Sequence, residues 1–133
     1  DKDKVIVIKP SRKLGSIINI NESRVRENIL MGYYDTLKIV KNLDGYKYIF
    51  KNKSDSYYRF LIRKVSKKKL KEMQKLFRTI NDKKLVLKAL EYVMDKENFS
   101  YYEVYSSMKV IKKVKKLDKD YGVYNFVKKM QFL

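Results

Sequence analysis

The register that lysines keep with apolar residues constrains this chain more than any other feature. In MKVIKKVKKLDK, residues 108 to 119, lysine fills six of twelve positions. Even so, Val110, Ile111, Val114 and Leu117 fall in one arc of a helix turning about 100° per residue, and Tyr121 would continue it one turn later. Lys109, Lys112, Lys113, Lys115, Lys116 and Lys119 fill the opposite arc. A solvated charge run has no reason to hold an apolar stripe in register, so an amphipathic helix is expected here, with one face packed and the other turned to water or a polyanion.

The same balance extends along the chain. Thirty-three basic residues against fifteen acidic ones give a net charge of +18, and both halves share the excess. A domain that repels itself this strongly gains from a polyanion, which makes nucleic acid the expected partner and an anionic membrane surface the second. An AT-rich genome or a hot habitat would raise glutamate together with lysine, and the acids here do not keep pace. At 133 residues and 44% apolar content, a single basic domain spanning 1–133 is expected.

Absences narrow the chemistry. With no cysteine and no histidine, disulfides, thiolate metal sites and thiol nucleophiles are excluded, along with the usual neutral-pH base. No cofactor or metal is expected. No stretch approaches the roughly 20 apolar residues of a membrane span, and DKDKVIVIK does not read as a leader. An intracellular protein, cytoplasmic or within a virion, is therefore expected. Because the chain opens on Asp1 rather than methionine, a processed start or a domain taken from a longer chain stays open.

Local patterns predict an α+β fold, with two N-terminal β-hairpins flanking a helix (β-rich 1–65) and a C-terminal half of three to four helices (66–133) packed as one domain. KVIVIK (4–9) and SIINI (16–20) read as the first hairpin around PSRKLG. Val25, Ile29, Tyr33, Leu37 and Val40 mark the packing stripe of a helix that Asp44-Gly45 stops. YKYIF and YYRFLIRKV read as the second hairpin, with Tyr58, Phe60 and Ile62 facing the core. Beyond Ser66, helices are expected on Leu70, Met73, Leu76, Phe77 and Ile80, then on Leu85, Leu87, Ala89, Leu90 and Val93. A further helix through Tyr101, Val104, Tyr105 and Met108 either runs into the opening lysine segment or breaks near Ser106-Ser107. A last break falls between Asp118 and Gly122.

Catalytic constellations are thin. The carboxylates that could hold Mg²⁺ are Glu91 with Asp95, Asp118 with Asp120, and Asp44, none in a recognisable nuclease frame. Glu91 and Asp95 alternate with Lys88 and Lys96 as surface pairs would. Tyr101, Tyr102 and Tyr105, or Tyr57 and Tyr58, suggest a strand-transfer nucleophile, but such enzymes usually add a histidine. Four glycines and no phosphate-cradling string leave nucleotide hydrolysis unsupported. The expected function is non-enzymatic binding of DNA or RNA. The alternatives are a genome-coating or ribonucleoprotein assembly protein, for which a homodimer or larger nucleoprotein complex is expected, and a metal-dependent nuclease.

Lysine, a hydrated point charge, suits phosphate better than base reading, so limited sequence selectivity is expected. The candidate nucleic-acid-binding residues are Arg12 and Lys13 in the first hairpin, Arg24 and Arg26 in the first helix, and Arg59 and Arg63 in the second hairpin. Lys67, Lys68, Lys71 and Lys75 follow, then Lys109, Lys112, Lys113 and Lys116. Aromatics among charges, as in YKYIFK and YYRFLIRK, suggest rings that stack on unpaired bases from an exposed sheet. FSYYEVYSSMKVIKKVKK can also be read as a helix-turn-helix.

Overall fold

The computed structural model describes residues 22–132. In chain order its elements are α1 (Glu22–Val40), β1 (Ile49–Phe50), α2 (Asp55–Leu61), α3 (Lys67–Phe77), α4 (Asp82–Lys96), β2 (Val104–Tyr105), α5 (Ser107–Lys115) and α6 (Gly122–Lys128). The described fold is mostly helical. Its one sheet is a two-residue parallel pair, Ile49 opposite Val104 and Phe50 opposite Tyr105.

The hairpin architecture expected from sequence is overturned. The first hairpin, with Arg12 and Lys13, lies outside the described residues. The second is not a hairpin, since β1 pairs with a strand more than fifty residues away and residues 55–61 are helical. Ser54 decides the latter, its hydroxyl accepting from the Tyr57 N–H at 3.2 Å and capping a first turn that carries Asp55. The buried positions are Tyr58, Leu61, Ile62 and Val65. That is the i, i+3, i+4, i+7 spacing of a helix and the turn that follows it, not an alternation. Leu61, expected outside, is wholly buried, whereas Phe60 is only partly so.

Downstream, the predicted helix through Tyr101–Tyr105 is replaced by a bend and β2, so no helix-turn-helix forms there. Helix α5 begins only after Ser106, and it ends at Lys115 rather than Lys119. Tyr121 does not extend its stripe, because it stands at the N-cap of α6. Three helices close with a residue at positive φ, namely Asn42, Arg78 and Asn98. In each case the following N–H reaches back five residues: Leu43 to Lys38, Thr79 to Gln74 and Phe99 to Met94. This is the Schellman closure, and it stops α1 two residues ahead of the predicted Asp44-Gly45 break.

Helix α4 sits at the centre. Leu85, Val86, Leu87, Ala89, Leu90, Val93 and Met94 are all buried, and α2, α3, α5 and α6 pack around them. Helix α1 behaves differently. Its predicted packing residues Val25, Ile29, Tyr33 and Val40 are exposed, and it rests on Met31 and Asp35 instead. Tyr34 on that side meets the Tyr102 ring at 5.9 Å. Among the described residues no helix is long and apolar enough to cross a membrane.

Glu91 joins the 44–48 loop to α4. Its carboxylate is 6% exposed and accepts the backbone N–H groups of Tyr46 (2.6 Å), Lys47 (3.0 Å) and Tyr48 (3.2 Å). Burial pushes this carboxyl above its ordinary value, and the three N–H donors oppose the shift. The loop closes this tightly only with glycine at position 45. Gly45 has φ +108, and a Cβ there would lie 2.1 Å from the Tyr48 carbonyl oxygen.

This packing sets the cost of two core substitutions. Leu61→Ala should cost about 3 kcal/mol in chemical denaturation, whereas a strand with Leu61 outside would leave the protein nearly unaffected. Glu91→Ala should cost about 3 kcal/mol by orphaning three N–H groups. Glu91→Gln should cost less, since one amide oxygen still serves Tyr46 and Tyr48. Equal costs for the two variants would remove the hydrogen-bonding account.

Candidate nucleic-acid interface

Helix α3 is fixed at its start by the Ser66 hydroxyl, which accepts from the Lys69 N–H at 3.2 Å. Met73 is buried against the core while Lys67, Lys68, Lys71 and Lys75 stay exposed. The side chains of Lys68, Lys71 and Lys75 line an open cleft of about 850 Å³ between α3, α4 and α6. Lys96 from the end of α4 and Lys119 ahead of α6 line it as well. Lys67 is exposed outside it. The floor is partly apolar, with Leu76, Tyr92 and Tyr121 at the surface.

The acids in and beside the cleft are already engaged. Glu72 pairs with Lys69 at 3.6 Å. Glu97 accepts from Lys119 and from the Tyr124 hydroxyl, both at 2.6 Å, and these bonds hold its carboxyl below the ordinary range. By contrast Lys68, Lys71 and Lys75 have neither a hydrogen bond nor an ion pair among the described residues. The cleft therefore presents unneutralised cations.

The α5 lysines do not join that surface. Lys109, Lys112, Lys113 and Lys116 are placed opposite the buried Val110, Ile111 and Val114, as the sequence pattern implied, but none lines the α3 cleft. Lys112 lies 5.4 Å from the Phe132 ring centre and Lys113 5.6 Å from that of Phe99. Lys115 is taken up structurally, donating to the Met130 carbonyl at 2.7 Å.

The arginines scatter. Arg59 pairs with Asp82 at 3.7 Å, and Arg63 lies over the Phe60 ring at 5.3 Å. Arg24 and Arg26 are exposed on α1. No sheet gathers these arginines, so the expected hairpin reading surface does not form among the described residues.

Three of the carboxylate candidates, Glu91, Asp44 and Asp95, are engaged in contacts of the fold. Glu91 is buried under the loop rather than paired on the surface. Asp44 accepts from the Lys53 N–H (3.0 Å) and Asn52 (3.2 Å) and pairs with Lys83 at 3.0 Å. Asp95 accepts from Tyr101 at 2.5 Å and pairs with Lys47 at 3.5 Å. No group of three metal-ligating side chains occurs among the described residues.

Two of the tyrosines weighed as nucleophiles, Tyr58 and Tyr105, are poorly placed for that role. Tyr58 is wholly buried with its hydroxyl against Ser107 Oγ at 3.2 Å, and burial pushes its pKa up. Tyr105 is pushed up to about 12, mainly by burial. A nucleophilic phenol needs the opposite shift.

Sequence reasoning singled out neither Tyr92 nor Tyr121 as an exposed ring, whereas Tyr46 opens the YKYIFK string read as a source of stacking rings. Tyr46 and Tyr92 are each 41% exposed and Tyr121 is 64% exposed. A second cleft of about 580 Å³ adjoins the first and shares Tyr92 and Lys96 with it, and Tyr46 and Lys88 line its far side. Lys88 lies 5.8 Å from the Tyr46 ring centre and Lys96 5.4 Å from that of Tyr92. One local signal pointed there, since Lys88, Tyr92 and Lys96 repeat every four residues along one face of α4. Comparison with family models, curated proteins and solved structures returns no match for this chain.

Proposed function

We propose that this chain is a non-enzymatic nucleic-acid-binding protein that holds DNA or RNA mainly through lysine–phosphate contacts, with little sequence selectivity, in the cytoplasm, elsewhere inside a cell, or in a virion. One observation carries the reading. Lys68, Lys71 and Lys75 converge on a single cleft with Lys96 and Lys119, while the acids beside it are engaged by other side chains. Phosphate is the anion that a chain of +18 would meet at high density, and each phosphate neutralised releases counterions. The α5 lysines add a second basic face.

Titration of random duplex and single-stranded oligonucleotides at two salt concentrations tests it. Wild type should bind at low salt and weaken steeply as salt rises. Changing Lys68, Lys71, Lys75 and Lys96 together to glutamine should lower affinity at least tenfold and flatten the salt dependence, by roughly one unit of log–log slope for each phosphate no longer neutralised. The Lys109, Lys112, Lys113 and Lys116 quadruple variant should be impaired less. No binding by wild type at low salt would end the proposal.

A second reading, assembly on nucleic acid, is favoured by α1. Val25, Ile29, Gly32, Thr36 and Ile39 follow the alternating four- and three-residue spacing of a helix-pairing seam. Val25, Ile29 and Ile39 are exposed, and added bulk at Gly32 would meet nothing within 4 Å. The Thr36 hydroxyl donates to the Gly32 carbonyl at 2.8 Å, so the seam carries little unmet polarity. A second copy of the chain is the occupant proposed. Light scattering at about 100 µM should give a dimer that Ile29→Glu converts to monomer, and a monomeric wild type would remove this reading.

A further inference from the structure

Three of the exposed tyrosines ask for more than phosphate. A solvent-facing phenol ring is a flat apolar surface that a phosphate backbone alone does not use, and Tyr46, Tyr92 and Tyr121 all lie along the two joined clefts. Their partners differ from those of the core tyrosines. The hydroxyl of Tyr105 donates to the Ser100 carbonyl at 2.6 Å and that of Tyr124 to Glu97 at 2.6 Å, so these rings are fixed by fold contacts. The hydroxyls of Tyr46, Tyr92 and Tyr121 make no such bond among the described residues, and lysines or another ring stand beside these exposed rings. Lys88 lies by Tyr46 and Lys96 by Tyr92, and the Tyr121 ring leans on Tyr124 at 5.6 Å.

Tyr92 is held on one side by the Phe77 edge at 6.1 Å and 76°. It is also the ring that both clefts share. The volumes of 850 and 580 Å³ lie within the roughly 300–1,000 Å³ usual for sites that take small organic groups. Neutral rings alternating with cations along a groove form the arrangement that receives a strand whose bases are unpaired, phosphates going to lysine and bases to rings. A duplex keeps its bases stacked inside and offers such rings nothing. Glu72 and Asp95 also line the groove, and both already pair with lysine, Glu72 with Lys69 and Asp95 with Lys47.

Resting on the nucleic-acid reading above, we propose that the joined clefts form a single-strand path in which Tyr121, Tyr92 and Tyr46 stack on successive unpaired bases while Lys68, Lys71, Lys75 and Lys96 hold the intervening phosphates. Stacking does not depend on base identity, so the path tolerates any sequence. DNA and RNA strands enter it alike as far as the rings are concerned.

The test separates base contact from phosphate contact. Wild type, Tyr92→Leu, Tyr121→Leu, Tyr92→Phe and the four-lysine glutamine variant of α3 and α4 are titrated with a fluorescent 12-nucleotide oligothymidine, an abasic strand of the same length and a 12-base-pair duplex. Wild type should prefer oligothymidine to the abasic strand by at least fivefold, the lower end of one base–aromatic stack. Each leucine variant should reduce that preference at unchanged salt slope, and Tyr92→Phe should keep it. The lysine variant should weaken both strands together while retaining the preference.

Equal affinity of wild type for base-bearing and abasic strands would overturn the path and leave phosphate binding intact, as would a preference that both leucine variants keep. Failure of wild type to bind any of the three probes would overturn the nucleic-acid reading itself. Both target rings are exposed, and circular dichroism of each leucine variant confirms that the comparison is made between folded proteins.

Discussion

A single buried carboxylate organises the loop side of the molecule. Glu91 gathers the N–H groups of Tyr46, Lys47 and Tyr48, and the chain thereby enters β1 in a fixed direction. A two-residue parallel pair has little stability of its own, so β1 and β2 depend on that anchor and on the Asp44–Phe50 bridge beside it. An anion inside a protein is ordinarily costly. Here the three N–H dipoles and the positive surroundings, Lys38 among them, favour the ion and offset part of its desolvation. The same anchor fixes Tyr48 under the loop, its ring stacked on Tyr101 at 4.7 Å and 17°, and leaves Tyr46 at the lip of the groove.

Charge is distributed by what the acids have already engaged. Asp44 pairs with Lys83, Asp82 with Arg59, Asp95 with Lys47 and Glu97 with Lys119. These pairs lie along the loops and helix ends that join the elements. Lysines also close the C-terminal part of the fold: Lys115 donates to the Met130 carbonyl, and Lys128 to that of Leu117, so each satisfies a carbonyl outside the helices. What remains is surplus cation on α3, on α5 and along the outer face of α4. In the cleft the surplus gathers like charges from α3, the end of α4 and the segment ahead of α6, and they repel one another. A bound polyanion would remove that repulsion and so stabilise the fold that binds it.

How far the sequence revealed this depended on whether the deciding signal was local. The lysine face of α5 was legible because lysine and apolar residues there separate at helical period, and burial of Val110, Ile111 and Val114 follows that period; on α3 the period holds for Met73 but not for Leu76 and Ile80, which are exposed, Ile80 lying beyond the helix end. Residues 57–65 satisfied two patterns at once. Tyr58, Phe60 and Ile62 alternate, while Tyr58, Leu61, Ile62 and Val65 repeat at helical spacing, and so short a run does not choose between them. The Ser54 cap chose. Glu91 was illegible in principle: beside Lys88, Asp95 and Lys96 it looks like any surface acid, and only a loop more than forty residues away buries it. For the same reason the groove was half visible, with Lys88, Tyr92 and Lys96 written on one helix while Tyr46 and Tyr121 arrive from separate loops.

The tyrosines make the general point, since one residue type does two jobs according to what its hydroxyl meets. Where a carboxylate or carbonyl accepts that hydroxyl, as at Tyr101, Tyr105 and Tyr124, the ring is fixed by the fold; the bond to Asp95 does most to raise the pKa of Tyr101, and burial does most at Tyr105 and Tyr124. Such rings serve as scaffold. At Tyr46 and Tyr92, whose hydroxyls have no such acceptor among the described residues, the ring is at the surface with Lys88 and Lys96 beside it. An ammonium is held weakly by an exposed ring and strongly by phosphate. On the proposed path, those cations are the groups most readily exchanged from ring to phosphate, and the ring faces they leave are the surfaces an unpaired base would cover.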